Sequence, residues 1–215
     1  MANKKLQLAI DVFTIEEAME IVSEAGEYAD IIEVGTPLCI AEGAAATRAI
    51  KEAFPDKIVF SDIKVMDGGR DVPRSVIDAG CDMFSVLAAT DNNTMQEAIQ
   101  LAHDNDVMVL ADFCNVTDMA RRGAEVDAMG ADYLCCHVGY GRQKDGADPV
   151  EELRALAPFD TPKAIAGGIK YETVEAAVNS PAEVIIVGAG ICAQKNRSEM
   201  AKKIRNVIDE YNETH

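Results

Sequence analysis

An unusual concentration of charge occurs in the segment SDIKVMDGG, residues 61–69, directly after the apolar run KIVF. Asp62 and Lys64 lie two positions apart, so on a β-strand their side chains point to the same side. Carboxylate oxygens bind hard cations such as Mg²⁺, whereas a charged lysine has no lone pair and donates hydrogen bonds or protons. The segment is therefore a candidate for metal binding and proton transfer, and a structural ion network that includes Asp67 is the alternative.

Eight short apolar segments recur along the chain, each followed by a stretch of helical periodicity. They lie at residues 6–11, 30–35, 57–62, 82–87, 107–112, 132–137, 163–168 and 183–188. Intervals of roughly 20 to 30 residues leave room for one crossover helix per strand, which is typical of a parallel sheet. We expect helices near residues 15–26, 38–53, 70–79, 92–105, 117–129, 147–157, 171–179 and 197–212.

This alternation of strand and helix predicts an α/β protein with a single domain, a (β/α)8 TIM barrel that covers residues 1–215. An open doubly wound sheet is the alternative, but it usually has a glycine-rich turn after the first strand, where this chain has AIDVFT. No linker, charge block or low-complexity tract divides the sequence. In a TIM barrel the active site lies at the carboxyl ends of the strands.

Acidic residues and a histidine stand at several of these strand ends. The first predicted strand ends in Asp11, the second contains Glu33, the fifth ends in Asp112 and the sixth in His137. Because adjacent strands lie about 5 Å apart, we expect Glu33 and Asp62 to hold one Mg²⁺ together. Clustered like charges reduce stability unless a cation binds, so the cluster favours a functional site over a structural ion network.

His137 is the candidate acid or base among the three histidines. His103 falls late in a predicted helix and His215 is the last residue, whereas His137 ends a strand. The six cysteines show no C-x-x-C spacing. We therefore expect them to be reduced core residues and expect no zinc or redox site.

Glycines follow the seventh and eighth strands, in AIAGGI and VIIVGAGI. Exposed backbone N–H groups in such turns bind phosphate without a basic side chain, in the region where many TIM barrels bind it. If the glycines served only to form tight turns, one such segment would be easy to explain, but two at neighbouring strand ends would be harder to explain. The pattern predicts a phosphate site, assisted by Lys195 and Arg197, on the backbone of Gly167, Gly168, Gly188 and Gly190.

The formal net charge of −17 repels nucleic acid and anionic membranes, so we expect neither as a partner. No segment reaches the roughly 18 to 20 uninterrupted apolar residues that a membrane span requires. The start, MANKKLQLAIDVF, lacks the features of a signal peptide. We expect a cytoplasmic protein.

The segments LQLAIDVFTIEEAMEIV, DIIEVGTPL, SDIKVMDGG, AIAGGI and VIIVGAGI resemble the 3-hexulose-6-phosphate synthases, and the similarity runs through nearly the whole chain. These enzymes belong to the orotidine-monophosphate-decarboxylase superfamily, whose signature is D-x-K-x-x-D and which includes 3-keto-L-gulonate-6-phosphate decarboxylase as a close relative. The resemblance implies a homodimer with shared active sites. It also implies reversible aldol addition of formaldehyde to D-ribulose 5-phosphate through a Mg²⁺-stabilised enediolate.

The resemblance implies a role for each matching residue. Glu33 and Asp62 would hold the metal, and Lys64 would deliver a proton or stabilise the oxyanion. Asp67 would reach into the active site of the partner subunit. Asp11 and Asp112 would bind the substrate. His137 would transfer a second proton.

Two places distinguish the synthase from the decarboxylase. ADFCNV matches the synthase where the decarboxylase usually has a glutamate, and Tyr140 stands where the decarboxylase has an arginine. The loop HVGYGRQKDG departs from the synthase pattern H-T-G-x-D-x-Q at Val138 and Gly141 but retains Gln143, and Cys192 replaces a usual threonine. The decarboxylase and a non-catalytic phosphosugar-binding protein therefore remain alternatives. A Schiff-base aldolase is disfavoured, because the acids beside the lysine keep it charged.

Overall fold

A closed barrel of eight parallel strands in sequence order forms the centre of the computed structural model, which describes residues 3–215. The strands are β1 Lys5–Ile10, β2 Ile31–Val34, β3 Ile58–Val65, β4 Met83–Leu87, β5 Met108–Asp112, β6 Tyr133–His137, β7 Lys163–Ala166 and β8 Val184–Val187. All eight coincide with predicted strands, which confirms the TIM barrel. Within residues 3–215, no helix combines the length and the apolar character that a membrane crossing requires.

Helices pack on the outer face of the barrel. They are α1 Ile15–Ala25, α2 Thr36–Glu42, α3 Ala44–Ala53, α4 Arg74–Ile77, α5 Asn92–His103, α6 Met119–Met129, α7 Tyr140–Lys144, α8 Pro149–Leu153, α9 Tyr171–Val178, α10 Ala189–Cys192 and α11 Arg197–Thr214. The side chains of Thr14 and Asp91 cap α1 and α5 by accepting hydrogen bonds from backbone N–H groups of the first turn.

The helix predictions were wrong in four places. The helix expected at 147–157 is reduced to the five residues of α8. The helix expected at 38–53 is two helices, because Gly43 between them has a φ of +60°, which a continuous helix cannot accommodate. The helix expected at 70–79 is reduced to the four residues of α4. Two short helices, α7 and α10, were not predicted, since four or five residues are too few to show a helical period.

Alternation along the strands separates two apolar cores. One lies between the barrel and its helices, and the other fills the barrel interior. In five strands an interior residue is followed, two positions later, by a polar residue that stands above the interior core at the open end of the barrel. These pairs are Ala9 and Asp11, Ile31 and Glu33, Phe60 and Asp62, Leu110 and Asp112, and Cys135 and His137.

Strand β3 is irregular where it reaches the open end of the barrel. It continues to Val65, three residues beyond the predicted end, and its register with β4 shifts between the pairs Ser61–Phe84 and Val65–Val86. Lys64, inside the shifted part, has a φ of +46°, in the left-handed region. The shift bends β3 directly at the D-x-K segment.

Candidate active site

A cavity of about 1140 Å³ opens at the carboxyl ends of the strands. It brings together ten of the eleven residues predicted for the site: Asp11, Glu33, Asp62, Lys64, Asp112, His137, Gly167, Gly168, Gly188 and Gly190. Asp67 does not line this cavity. Its side chain is exposed and accepts a hydrogen bond from the backbone N–H of Gly68.

Lys64 lies between two carboxylates. Its ammonium donates to Asp62 Oδ2 at 2.6 Å and to Asp112 Oδ2 at 3.0 Å. Burial opposes the charged form, but the charges of Asp62 and Asp112 outweigh burial and raise the pKa of Lys64. Lys64 is therefore held as a cation, which opposes a Schiff-base role and suits the stabilisation of a negative charge.

Asp112 also engages His137. The Nδ1 atom of His137 lies 2.9 Å from Asp112 Oδ2 and 3.1 Å from Asp112 Oδ1, and Asp112 Oδ1 accepts from the backbone N–H of Cys114. Burial lowers the pKa of His137, but the hydrogen bond to Asp112 and its charge outweigh burial, so that the pKa is raised. Because Asp112 holds Nδ1, Nε2 is the nitrogen available to a substrate proton.

Asp62 is buried, and both of its oxygens are engaged. Oδ1 accepts from Ser85 Oγ at 2.7 Å, and Oδ2 accepts from Thr36 Oγ1 at 2.7 Å as well as from Lys64. Three elements, β3, β4 and the start of α2, thus fix the orientation of one carboxylate.

Glu33 lies deeper in the barrel than its predicted position. It pairs with Phe60 and not with Asp62, so the expectation that the two acids are direct neighbours across the sheet was wrong. The cause is the stagger that closure of a barrel imposes on adjacent strands. Burial raises the pKa of Glu33, and the negative charge of Asp62 raises it further.

The partner of Glu33 is Gln7, a buried residue of β1. Gln7 Nε2 donates to Glu33 Oε2 at 2.6 Å, whereas Gln7 Oε1 is buried with no hydrogen-bond partner among residues 3–215. A neutral amide supports an ionised carboxylate less than a cation does. Glu33 is thus a buried acid that a bound cation would stabilise in its charged form.

The residues present fit Mg²⁺. No three His, Cys, Asp or Glu side chains within residues 3–215 form a closed metal cluster. Mg²⁺ needs no such cluster, because it commonly binds one or two carboxylates and fills its other positions with water and substrate oxygens. Glu33 and Asp62 offer hard oxygen ligands in the same cavity, and the raised pKa of Glu33 shows that its negative charge is under-compensated.

The opposite wall of the cavity carries the glycines. Gly167 and Gly168 have φ values of +116° and +72°. A Cβ on Gly167 would lie 2.5 Å from the Val138 carbonyl oxygen, and one on Gly190 would lie 2.6 Å from the Ile169 carbonyl oxygen, so both positions require glycine. The two turns bring the backbone close to the cavity, as a phosphate site requires.

The basic residues near these turns differ from the prediction. Arg197 donates to the Cys192 carbonyl and forms an ion pair with Glu24, and neither Arg197 nor Lys195 lines the cavity. Lys170, which was not predicted, does line it. Its position four residues past β7 was the signal that could have identified it.

Four further residues contact the predicted site. Tyr140, on α7, donates from its hydroxyl to Asp11 Oδ2 at 3.3 Å and so joins two loops across the cavity mouth. Ser85, Thr36 and Gln7 were not identified from the sequence. Ser85 and Gln7 are polar residues at interior positions of apolar strands, and that interruption of the pattern was the available signal.

The six cysteines form no disulfide with one another within residues 3–215. Burial raises the pKa of Cys39 and of Cys192 to about 12, and Cys81, Cys135 and Cys136 are buried. Thiols of this kind are protonated at neutral pH and serve as small core residues.

Comparison with known proteins supports the resemblance. Residues 4–204 match the orotidine 5′-phosphate decarboxylase / HUMPS family. The 3-hexulose-6-phosphate synthase of Bacillus subtilis (strain 168) is 40% identical over 206 residues, which cover 95% of this chain and 98% of that protein.

Solved structures agree. The crystal structure of 3-hexulose-6-phosphate synthase from Salmonella typhimurium superimposes with a TM-score of 0.93 at 37% identity, covering 96% of this chain and 99% of that one. The 3-keto-L-gulonate-6-phosphate decarboxylase from Vibrio cholerae O1 biovar El Tor str. N16961 shares the fold, with a TM-score of 0.86 at 24% identity and coverage of 97% and 99%. The chain therefore belongs to the orotidine 5′-phosphate decarboxylase / HUMPS family.

Proposed function

We propose that this protein is a carbon–carbon lyase of the aldolase type, which adds formaldehyde to D-ribulose 5-phosphate to form 3-hexulose 6-phosphate, reversibly and with Mg²⁺. One observation carries the proposal: Lys64 bridges Asp62 and Asp112, and His137 binds the same Asp112, in one cavity with the glycine turns. The likeness to proteins named 3-hexulose-6-phosphate synthase supports the choice of substrates.

The reaction needs a base and a stabilised anion. His137 Nε2 takes the proton from C1 of the ketose, and the electron pair of that C–H bond is delocalised onto the C2 oxygen to give an enediolate. The Lys64 ammonium stabilises this negative charge. A divalent cation held by Glu33 and Asp62 would supply further charge stabilisation, worth several kcal/mol.

Carbon–carbon bond formation then needs only one proton transfer. The enediolate C1 attacks the formaldehyde carbon, the carbonyl π electrons move to the formaldehyde oxygen, and that oxygen takes a proton from His137 or Lys64. The proton lost from C1 is thus replaced at the new hydroxyl, and no atom is oxidised or reduced overall by an outside reagent. Asp112 contacts both possible proton donors: it orients His137 and holds Lys64 in its charged form.

The glycine turns and the adjacent end of β1 bind the substrate. The backbone of the turns at Gly167 and Gly188 binds the phosphate, and Lys170 contributes positive charge at the same wall. Asp11 is close to the second turn, since a Cβ on Gly188 would lie 3.7 Å from Asp11 Oδ2, and it accepts hydrogen bonds from the sugar hydroxyls next to the phosphate. C1 of the sugar then points toward Lys64 and His137.

The proposal includes a homodimer. Asp67 lies outside the cavity of its own chain, at the end of β3, and Met66 and Val72 beside it are 51% and 46% exposed. Exposed apolar side chains that flank an acid are consistent with a surface covered by a second copy. In such a dimer, Asp67 would complete the active site of the partner subunit.

Turnover tests the proposal. The purified protein, stripped with EDTA, is incubated with D-ribulose 5-phosphate and formaldehyde with and without added MgCl₂, and the hexulose phosphate is detected by mass spectrometry. We expect product only with Mg²⁺, and none from Lys64→Ala. Release of CO₂ from 3-keto-L-gulonate 6-phosphate without formaldehyde consumption would instead identify the decarboxylase. Binding of ribulose 5-phosphate without either reaction would identify a non-catalytic binding protein.

A further inference from the structure

Ser85 stands behind the D-x-K segment and touches both of its charged residues. It lies on β4, is fully buried, and makes two hydrogen bonds through its hydroxyl. Ser85 Oγ accepts from the backbone N–H of Lys64 at 2.8 Å and donates to Asp62 Oδ1 at 2.7 Å.

The direction of both hydrogen bonds follows from their partners. A backbone N–H can only donate, and an ionised carboxylate can only accept. The single proton of Ser85 is therefore directed to Asp62, and one of its lone pairs to Lys64. The hydroxyl is thereby fixed in one orientation, and it connects a side chain on β3 to the backbone two residues further on.

This connection occurs where β3 departs from regular geometry. Lys64 has a φ of +46°, a left-handed conformation that is unfavourable for a residue with a side chain. Between the pairs Ser61–Phe84 and Val65–Val86, β3 contains three residues and β4 contains only Ser85. The hydroxyl of Ser85 thus provides the Lys64 N–H with an acceptor inside the shifted part of the ladder.

We propose that Ser85 is a positioning residue of the active site. It holds Lys64 in the left-handed conformation and Asp62 in one orientation, so that the Lys64 ammonium reaches Asp62 and Asp112 at the same time. The catalytic consequence rests on the function proposed above, whereas the structural consequence for the Lys64 backbone does not.

Ser85→Ala removes both hydrogen bonds. Asp62 Oδ1 loses a donor, and the Lys64 N–H loses the acceptor that supports its strained conformation. We expect kcat to fall by about tenfold to a hundredfold, the size of effect that small misplacement of a catalytic group produces. We expect KM for D-ribulose 5-phosphate to change less than about twofold, because phosphate and hydroxyl contacts come from other strands. Mg²⁺ affinity, measured by titration calorimetry, should fall because Asp62 is less well oriented.

Thr47→Val is the matched control. Thr47 is fully buried and its Oγ1 is hydrogen-bonded to Ser61 Oγ at 2.9 Å, so this variant also removes a buried hydroxyl that contacts β3. Thr47 contacts neither Asp62 nor Lys64 through this bond. We expect a comparable decrease in melting temperature in both variants, with kcat and Mg²⁺ affinity unchanged in Thr47→Val.

Hydrogen exchange gives a readout that does not depend on activity. The Lys64 amide should exchange at least about tenfold faster in Ser85→Ala than in the wild type, and at the wild-type rate in Thr47→Val. Ser85→Thr, which keeps the hydroxyl, should restore kcat and protection of the amide. If Ser85→Ala does not fold, Ser85→Thr is compared instead with Ser85→Cys, whose thiol is of similar size but is a weaker hydrogen-bond donor.

The proposal is overturned if Ser85→Ala keeps kcat within about twofold of the wild type and the Lys64 amide stays protected. Equal losses of kcat in Ser85→Ala and Thr47→Val would also overturn it, because stability alone would then account for the effect. If the wild type shows no turnover, the function proposed above fails, and the exchange rate of the Lys64 amide still decides whether Ser85 holds this backbone.

Discussion

At the scale of single residues, the site is a row of groups that alternate in charge: Asp62, Lys64, Asp112 and His137. Each interior member of the row contacts two others at hydrogen-bond distance. Removing one member of such a buried row leaves its neighbour uncompensated, which costs more than the lost contact itself. We therefore expect strongly non-additive effects when two of these residues are changed together.

The pH dependence of the reaction should follow the loss of a proton from His137. A base must be neutral, and the pKa of His137 is raised above its ordinary value of about 6.5. The rate should therefore increase with pH through a value above 6.5. Asp112→Asn removes the charge that raises this pKa, so the acidic limb of the kcat/KM profile should move to lower pH while the maximal kcat/KM falls.

Measurement of kcat/KM from pH 5 to 9 in both proteins tests this assignment. His137→Gln serves as the control and should lack the limb altogether. An acidic limb that stays in place in Asp112→Asn would show that another group is the base.

Glu33→Gln should weaken Mg²⁺ binding without lowering the stability of the metal-free protein. Glutamine keeps the shape and an acceptor for Gln7 but removes a buried charge that burial and Asp62 both disfavour. We expect the metal-free variant to melt at or above the wild-type temperature, while its Mg²⁺ affinity falls by more than about tenfold, or about 1.4 kcal/mol. Calorimetry of unfolding and of metal titration measures the two effects.

Glu172→Gln is the matched control for Glu33→Gln. Glu172 also lines the cavity, but its side chain is 69% exposed, so its charge is screened by solvent. Its removal should leave Mg²⁺ affinity unchanged. Equal losses of affinity in both variants would mean that general negative potential, and not a ligand at Glu33, draws the cation.

At the scale of elements, the cavity depends on how individual strands end. β3 bends at its register shift, whereas β7 and β8 end in glycine turns that bring their backbones to the cavity. Each acid that a strand end supplies to the cavity follows an apolar residue of the interior core by two positions, so it stands above that core. The electrostatic side and the phosphate side of the cavity thus have different structural origins.

Gly188→Ala should weaken phosphate binding. A Cβ at Gly188 would meet the Ala9 carbonyl oxygen at 3.4 Å, an ordinary contact, but φ and ψ are both −100°, outside the regions that residues with a side chain favour, so the melting temperature of the variant is measured as well. The methyl group would nevertheless occupy the turn assigned to the phosphate, so we expect KM for D-ribulose 5-phosphate to rise by about tenfold or more. Gly141→Ala, whose Cβ meets nothing within 4 Å, should leave KM unchanged.

Inhibition by inorganic phosphate gives the second measurement for Gly188→Ala. Because phosphate competes only for the anion site, its inhibition constant should rise in parallel with KM. A raised KM with an unchanged phosphate inhibition constant would place the phosphate elsewhere.

At the scale of the whole molecule, one chain leaves its site incomplete if Asp67 takes part in catalysis. Asp67 is exposed and absent from the cavity of its own subunit. Gly68 and Gly69 follow it, and Gly68 has a φ of +68°, so the chain turns sharply just after this acid. These features match a residue that crosses to a second copy.

Subunit mixing tests this shared site. Lys64→Ala and Asp67→Ala proteins should each be inactive, and a mixture should regain up to about a quarter of wild-type activity, because half of the dimers are mixed and each contains one complete site. Native mass spectrometry must first confirm that subunits exchange. With exchange confirmed and both parents inactive, a mixture that stays inactive would assign Asp67 to its own subunit.

The sequence by itself determined the barrel and most of the polar residues that line its open end. Eight apolar strands separated by helical stretches specify the topology, because each buried strand needs cover on both faces. Once the topology is known, the residues at the strand ends must meet, and Asp11, Asp62, Asp112 and His137 do line one cavity. These conclusions follow from local patterns of alternation and composition.

Only the tertiary structure decided how those residues are arranged. The depth of Glu33, the left-handed backbone of Lys64 and the contacts of Ser85 and Gln7 all depend on the register between strands. That register is set when eight strands close around one interior core, and a shift of one residue would reverse which side chains face inward. Closure is a property of the whole barrel, so no single segment of the sequence encodes it.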